Sequence, residues 1–497
     1  MAVLAIDAGT TGVTAVVVDP DGTALARGHR EFPQRFPRPG RVEHDPDRIW
    51  DAVRAACAEA LAASPTPPSC VGITNQRETV VLWDRRTLAA PRPAIVWQDR
   101  RSAALCERLR AEGHEPLVTA RTGLRLDPYF SATKLAWLAA EEPATWADVR
   151  AGRTLIGTVD SYLAARLTGG RLHVTDPSNA SRTLLFGLAE GDWSAELCAL
   201  FDVPRAALPE IVATNAVVGR TDPDAFLGLD IPVAALVGDQ QSALFGQACF
   251  TVGRSKCTYG TGSFVLVNTG TEIARPAAGL VATVGWQLDG RPTTYALEGA
   301  IFVTGAAVQW LRDGLGMIPA AAQVEPLAAA VPDSGGVVFV PALTGLGTPD
   351  WDPHARGAVF GLTRGTTRAH LARATLDAIA FQVRDVTDAM ARCAGRPLIG
   401  LTVDGGAAVN DLLCQLQADQ LGVPVRRPTS TDATALGAAY LAGLATGVWD
   451  STDEITERWH LDREFTPGAG AGAGVDDRDG AHRRWRRAVA AARAWSA

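Results

Sequence analysis

Asp7-Ala8-Gly9-Thr10-Thr11-Gly12 follows a short apolar run, Val3 to Ile6, and leads into Val13 to Val18, a segment rich in β-branched residues. Asp19-Pro20-Asp21-Gly22 is a turn, and Thr23 to Arg27 resumes an extended pattern. The spacing predicts strand, glycine-containing turn, strand, turn, strand: an antiparallel meander at the N-terminus. About half a chain later Cys257-Thr258-Tyr259-Gly260-Thr261-Gly262-Ser263 runs into Phe264 to Asn268, a second Gly/Thr hairpin flowing into a strand. Two similar hairpins half a length apart predict two domains of similar build.

Working outward, Asp45-Pro46 opens an amphipathic helix (Ile49, Val53, Cys57, Ala60, Leu61) that Ser64-Pro65-Thr66-Pro67-Pro68 ends. Cys70 to Thr74 and Val233 to Gly238 read as buried parallel strands. Each gives way to polar residues, Asn75-Gln76-Arg77-Glu78 and Asp239-Gln240-Gln241, and ligands of open α/β sheets sit beyond such strand ends. A helix from Gln240 to Ala248 precedes the second hairpin, which sets the expected domains at 1–248 and 249–497. Pro467 to Val475 (PGAGAGAGV) reads as a linker or loop, and His482 to Trp495 as a solvated terminal helix.

Composition narrows the function classes. The chain has 497 residues with 47 basic against 54 acidic side chains, a net charge of -7 that offers no clustered cationic excess for nucleic acid. Apolar residues at 47% and charged residues at 20% suit a folded globular protein. No apolar stretch reaches the ~18–20 residues of a membrane span, and MAVLAIDAGT has no basic leader, so a cytoplasmic protein is expected. The eight cysteines form no C-x-x-C pair and read as buried small hydrophobes. Of the basic residues only Lys134 and Lys256 are lysines, which invites a reason for both.

The first loop offers a carboxylate, glycines that let backbone N–H groups approach an anion, and hydroxyl donors; Gly260-Thr261-Gly262-Ser263 repeats the last two features. No G-x-x-x-x-G-K-[ST] occurs. Together with Asp404-Gly405-Gly406 these loops resemble the two phosphate loops and the adenosine loop of the actin-like ATPase fold: α/β, two ribonuclease H-like domains with a cleft between them.

Longer segments are similar to glycerol kinases of the FGGY carbohydrate kinase family: GITNQRET (72–79), AIVWQDRR (94–101), DPYFSATK (127–134), HVTDPSNASRTLLF (173–186), GDQQSALFGQ (238–247), TYGTGSF (258–264), ALEGAIFVTGAAVQWLRD (296–313), PALTGLGTPDWDPHARGAVFGLTRG (341–365), VDGGAAVN (403–410) and TALGAAYLAGLATG (434–447). The resemblance implies ATP-dependent phosphorylation of glycerol to sn-glycerol 3-phosphate. It implies that Arg77, Glu78, Tyr129 and Asp239 bind the hydroxyls, that Trp97 and Phe264 cover the carbon skeleton, and that Gln240 also stands at the substrate. Such a set satisfies a buried triol. Asp239 would be the general base. Thr10, Thr11, Gly12, Thr261, Gly305, Gln309, Gly406 and Asn410 would hold ATP, and Asp7 and Asp239 would hold Mg²⁺. Glycerol and ATP are then the expected partners, in a homodimer or homotetramer, and Lys134 and Lys256 both fall inside matching segments.

The first loop departs from the family at two positions. Many glycerol kinases read Asp-Gln-Gly-Thr-Thr-Ser-x-Arg, whereas Ala8 and Thr14 here replace an amide and a cation. The loss of a charge-assisted phosphate contact predicts a weaker nucleotide grip or slower transfer unless another cation substitutes. The stretch Arg220 to Gly228 lacks the paired glycines and following basic residue with which some relatives bind fructose 1,6-bisphosphate. It also lacks the histidine through which another branch is activated, and Pro467 to Arg478 does not resemble a regulator-docking helix. Two other readings stay open: an FGGY kinase for another short polyol or ketose, and a nucleotide-binding regulator without catalysis.

Overall fold

The computed structural model describes every residue except 431, 469–474 and 497, so the expected linker at Pro467 to Val475 lies largely outside the described residues. In the first half, strands β1 (Ala2–Ala8), β2 (Gly12–Val18) and β3 (Ala24–Glu31) form the expected meander. Helix α1 (Pro46–Ala63) follows, with the Asp45 carboxylate accepting from the Asp47 N–H at its start and Ser64 at its end. Strands β4 (Pro68–Asn75) and β5 (Pro232–Gly238) then join parallel to β1, and helix α2 (Asp239–Gly246) begins directly at the end of β5. The sheet order is β5-β4-β1-β2-β3, with a short Gly219–Arg220 strand at the β5 edge. Helix α1 buries Ile49, Val53, Ala56, Cys57 and Ala60 against one face of it. Gly28 permits that contact, because a Cβ there would stand 2.1 Å from the Ala56 carbonyl oxygen.

The second half repeats the plan. Strands β6 (Arg254–Tyr259), β7 (Ser263–Gly270), β8 (Val281–Trp286) and β9 (Thr294–Ile301) are antiparallel neighbours. After helix α3 (Arg368–Ala394), β10 (Gly400–Asp404) pairs parallel to β6; helix α4 (Asp411–Leu421) leads to β11 (Val425–Pro428), parallel to β10. The order β9-β7-β6-β10-β11 matches β3-β2-β1-β4-β5 of the first half, strand for strand in direction. This is the duplicated actin-like α/β build.

Two helices near the C-terminus tie the molecule together. Helix α5 (Ala433–Thr446) crosses back onto the first sheet and α2, burying Ala435, Ala438, Ala439 and Leu441 against Val3, Ala5, Val16 and Val237. Its backbone approaches so closely that a Cβ on Gly72 would lie 2.3 Å from the Ala438 oxygen. Strand β12 (Leu461–Phe465) then closes the far edge of the second sheet. The last helix, α6 (Val475–Ser496), corrects the reading of a solvated terminus: Trp485, Val489 and Ala492 are buried against Val340, Ala342 and Phe381. Trp485 and Arg486 both donate to the Asp385 carboxylate, at 2.7 and 3.0 Å, and Arg486 and Arg493 pair with Asp350. The arginine density that suggested solvation is used partly for docking. All eight cysteines are free and seven are buried. Among the described residues no helix is long and apolar enough to cross a membrane.

Candidate active site

Strands β1, β4 and β5 end level with one another, Ala8 opposite Asn75 and Asn75 opposite Gly238. Asp7, the Gln76-Arg77-Glu78 turn and Asp239 therefore emerge along one sheet edge. Burial and hydrogen bonding of this cluster start from the strands beneath it, which are continuous apolar runs.

Arg77 is the centre of a buried polar cluster. Its Nε lies 3.2 Å from Asp239 Oδ1 and its Nη1 2.5 Å from Glu298 Oε2, while Nη2 is 3.5 Å from the Tyr129 hydroxyl. Arg182 completes a ring, donating from Nε to Glu78 Oε1 at 2.6 Å and from Nη2 to Glu298 Oε1 at 2.8 Å. All four ring members are buried. Burial works against the ionised form of Glu298, but Arg182 and Arg77 outweigh it and hold the carboxyl down at about 2. Burial dominates at Glu78 and raises its pKa despite the same two arginines. Glu78 also adopts φ 61°, a left-handed conformation costly for a residue with a long side chain. Asp239 stays about a quarter exposed; burial raises its pKa, with Arg77 and Lys256 pulling the other way.

Aromatic rings lie beside this cluster. The Trp97 and Tyr129 rings meet edge to face at 5.5 Å, and the Arg77 guanidinium lies 5.9 Å over the Phe264 ring. Arg77, Glu78, Trp97, Tyr129, Asp239 and Phe264 thus share one neighbourhood. Gln240 places its N–H 2.7 Å from Asp239 Oδ1 and its side-chain carbonyl on Lys256 Nζ. Both lysines are fully buried. Lys134 Nζ donates to the carbonyl oxygens of Pro128 and Tyr129, each at 2.6 Å, which a compact ammonium satisfies and a planar guanidinium does not.

The two Gly/Thr loops have related geometry. Gly9 N–H bonds the Gly12 oxygen at 3.0 Å, and Gly260 N–H bonds the Gly262 oxygen at 2.9 Å. Thr10 and Thr11 stand at the first loop; the Thr10 hydroxyl accepts from Trp97 Nε1, and Thr11 is exposed. At the second loop Thr261 is exposed, and its carbonyl accepts from Thr304 and Ala306. Gly305 gives its N–H to the Gly260 oxygen, so it contributes close approach rather than a free donor: a Cβ there would sit 2.6 Å from that oxygen. Gln309 ends the following short helix with its side chain exposed. Gly406 lies past β10 with no described atom within 4 Å of a built Cβ, while Asn410 spends its carbonyl capping α4.

At the first loop Thr14 stands opposite Asp7 on the paired strand, and its hydroxyl is 3.0 Å from His29 Nδ1. Arg27, on β3 with His29, pairs with Asp432 at 3.7 Å. Ala8 is buried at the strand end, and Gln76 Nε2 reaches the Gly9 carbonyl at 2.9 Å. Burial, Asp239 and Asp432 push Asp7 up to about 7, with Arg27 opposing. Asp7, short of countercharge at the edge of a glycine-lined space and with the Asp239 carboxylate near it, fits a divalent cation and the phosphates it accompanies.

Glu298 and Arg182 were not singled out by sequence reasoning. The available signal was a lone carboxylate inside the otherwise apolar strand Thr294–Ile301.

A profile of the FGGY family of carbohydrate kinases, N-terminal domain, matches residues 2–246, and one of the C-terminal domain matches residues 255–446. The chain is 54% identical to a glycerol kinase of Aromatoleum aromaticum over 99% of both chains, and 48% identical to glycerol kinase 2 of Thermotoga maritima over 99% of both. Among solved structures, Plasmodium falciparum glycerol kinase with ADP superposes with a TM-score of 0.92 at 32% identity, covering 99% of this chain and 98% of that one. A xylulose kinase from Rhodospirillum rubrum gives a TM-score of 0.87 at 28% identity, over 99% of both. Sheet order, paired loops and full-length likeness agree, and the chain belongs to the FGGY family of carbohydrate kinases.

Proposed function

We propose that this chain is a glycerol kinase, transferring the γ-phosphoryl group of ATP to a terminal hydroxyl of glycerol to give sn-glycerol 3-phosphate. The observation that carries the reading is the convergence of Arg77, Glu78, Tyr129 and Asp239 with the Trp97 and Phe264 rings, a small polar pocket with apolar walls. The full-length likeness to glycerol kinases supports the same substrate.

Asp239 accepts the proton of the attacking hydroxyl. Burial raises its pKa from the ordinary carboxylate range toward the operating pH, against Arg77 and Lys256, a direction that suits a general base. Arg77 and Glu78 bind the remaining hydroxyls, and each unmet partner on a wrong substrate would be a buried orphan, the basis of selectivity. Thr10, Thr11, Gly12 and Thr261 hold the phosphates, and Gly305, Gln309, Gly406 and Asn410 line the rest of the nucleotide site. Asp7 and Asp239 would hold Mg²⁺, which when bound neutralises phosphate charge. A cytoplasmic homo-oligomer accompanies this reading by resemblance.

The test is ADP release by the purified protein with Mg-ATP and glycerol, dihydroxyacetone, erythritol, xylulose or ribulose, beside Asp239→Asn. Glycerol-dependent turnover that Asp239→Asn lowers by about 10²–10⁴ is expected. Turnover on another member of the panel alone would replace glycerol as substrate, and silence on all would leave a nucleotide-binding protein without catalysis.

A further inference from the structure

Gln76 and Thr79 flank Arg77 and Glu78, are buried, and make none of the ion pairs of that cluster. The chain doubles back between them: the Thr79 N–H bonds the Arg77 carbonyl at 2.8 Å across Glu78, whose φ of 61° is left-handed. A three-residue turn of this hand is rare and strained, and such strain persists where the surroundings impose it. Its product is a contact, for the Thr79 hydroxyl donates to Gln76 Oε1 at 2.9 Å.

Hydrogen bonds run from that contact in two directions. Gln76 Nε2 donates to the Gly9 carbonyl at 2.9 Å, and the Gln76 backbone N–H donates to the Ala8 carbonyl at 2.9 Å. The Trp97 backbone N–H donates to the Thr79 hydroxyl at 3.2 Å, and its indole N–H to the Thr10 hydroxyl at 2.9 Å. Gly9, Gln76, Thr79, Trp97 and Thr10 thus form a closed circuit. The orientation of the Gln76 amide is forced, since the reverse would set Oε1 against the Gly9 carbonyl oxygen. His44, which burial keeps neutral by pushing its pKa down to about 4, sets Nδ1 3.4 Å from the same Nε2.

The circuit suits the chemistry of the first loop. A backbone that receives an anion must turn its N–H groups toward it and its carbonyl oxygens away. Gln76 Nε2 engages the Gly9 oxygen, and the Phe32 N–H engages the Thr11 oxygen at 3.3 Å. Both oxygens are thereby held within the protein.

We propose that Gln76 and Thr79 are positioning residues for phosphoryl transfer: they hold the first Gly/Thr loop, with the phosphates on it, in register with Trp97, the wall of the glycerol pocket. Neither side chain touches a substrate. Each half of the site keeps its own contacts without them, so binding of glycerol or of ATP alone is retained. What they set is the separation of the attacking hydroxyl from the γ-phosphorus, and a misplacement of about 1 Å there costs up to about 10²-fold in rate. The inference rests on the kinase reading above and deepens it.

The experiment measures kcat and both KM values for wild type, Thr79→Val and Thr79→Ser, with thermal unfolding to establish the folded fraction. Valine keeps the shape of threonine and removes both hydroxyl bonds, whereas serine keeps the hydroxyl. In Thr79→Val the kcat per folded protein is expected to fall about tenfold while the KM values for glycerol and for ATP stay within about twofold. Thr79→Ser is expected to stay within about twofold of wild type in all three. A folded Thr79→Val with wild-type kcat, a loss that appears in the KM values instead, or a Thr79→Ser as slow as Thr79→Val each overturns the proposal. If Thr79→Val does not fold, Gln76→Met, which keeps the chain length and removes both amide bonds, is read by the same kcat and KM criteria. Failure of both to fold makes the pair a stability element and also overturns the proposal. Wild-type silence on glycerol would instead remove the substrate reading, and this inference with it.

Discussion

The indole N–H of Trp97 donates a 2.9 Å hydrogen bond to the hydroxyl of Thr10, so the ring proposed to wall the glycerol pocket and the first Gly/Thr loop, proposed to hold phosphate, are joined directly. Trp97→Phe keeps an apolar wall and cuts that bond. A neutral hydrogen bond contributes about 1 kcal/mol, or about fivefold. The expected outcome is a several-fold loss in kcat or in KM for ATP with a smaller change in KM for glycerol. Steady-state kinetics with each substrate varied in turn checks it; a change confined to the glycerol KM would refute the coupling.

Asp7 gives a pH prediction. Burial, then Asp239 and Asp432, raise its pKa from 3.8 to about 7 in the folded chain. Between those values the folded state binds more protons than the unfolded state, so this group lowers stability progressively as pH rises from about 4 to 7. Asp7→Asn removes the penalty. Without divalent cations, its melting temperature relative to wild type should be more favourable at pH 8 than at pH 4. An equal difference at both pH values would show that Asp7 is not held short of countercharge.

Much of this was legible in the sequence because it rests on local rules. The meander, the Asp45-capped helix and the strand ends carrying Arg77 and Asp239 follow from period, turn residues and the ends of apolar runs. Glu298 and Arg182 were opaque for a physical reason: each is buried only because it neutralises a partner more than a hundred residues away, and no local pattern encodes that pairing. The docking of α6 was hidden in the same way, since Asp350, Asp352 and Asp385, which its arginines meet, lie far back in the chain.

Thr14→Arg tests the altered first loop. The Thr14 side chain is spent on His29, and the nearby Arg27 faces Asp432. An arginine at 14 stands on the strand paired with Asp7 and adds a cation beside the loop. The expected result is a tighter KM for ATP or a faster turnover, by several-fold. Kinetics indistinguishable from wild type would mean that the loop already has the charge it needs.

Fructose 1,6-bisphosphate should not inhibit through the segment after Gly219. Its one cation, Arg220, is already engaged by Asp230 at 2.6 Å, the nearby Arg171 meets Asp222 of the segment at 2.8 Å, and the Thr221 hydroxyl closes the segment on the Leu229 carbonyl. Turnover measured against millimolar sugar bisphosphate should be flat. Inhibition at micromolar concentration, lost in Arg220→Ala, would overturn this.

Helix α5 sets the order in which the molecule can be completed. The Thr446 hydroxyl meets the Cys70 sulfur at 3.3 Å across a separation of 376 residues. The strands that leave the ribosome first therefore keep one greasy face uncovered until nearly the whole polypeptide has been synthesised. Closing such a distant contact is slow compared with local pairing. During that interval the nascent first sheet carries an apolar face whose cover is still being made.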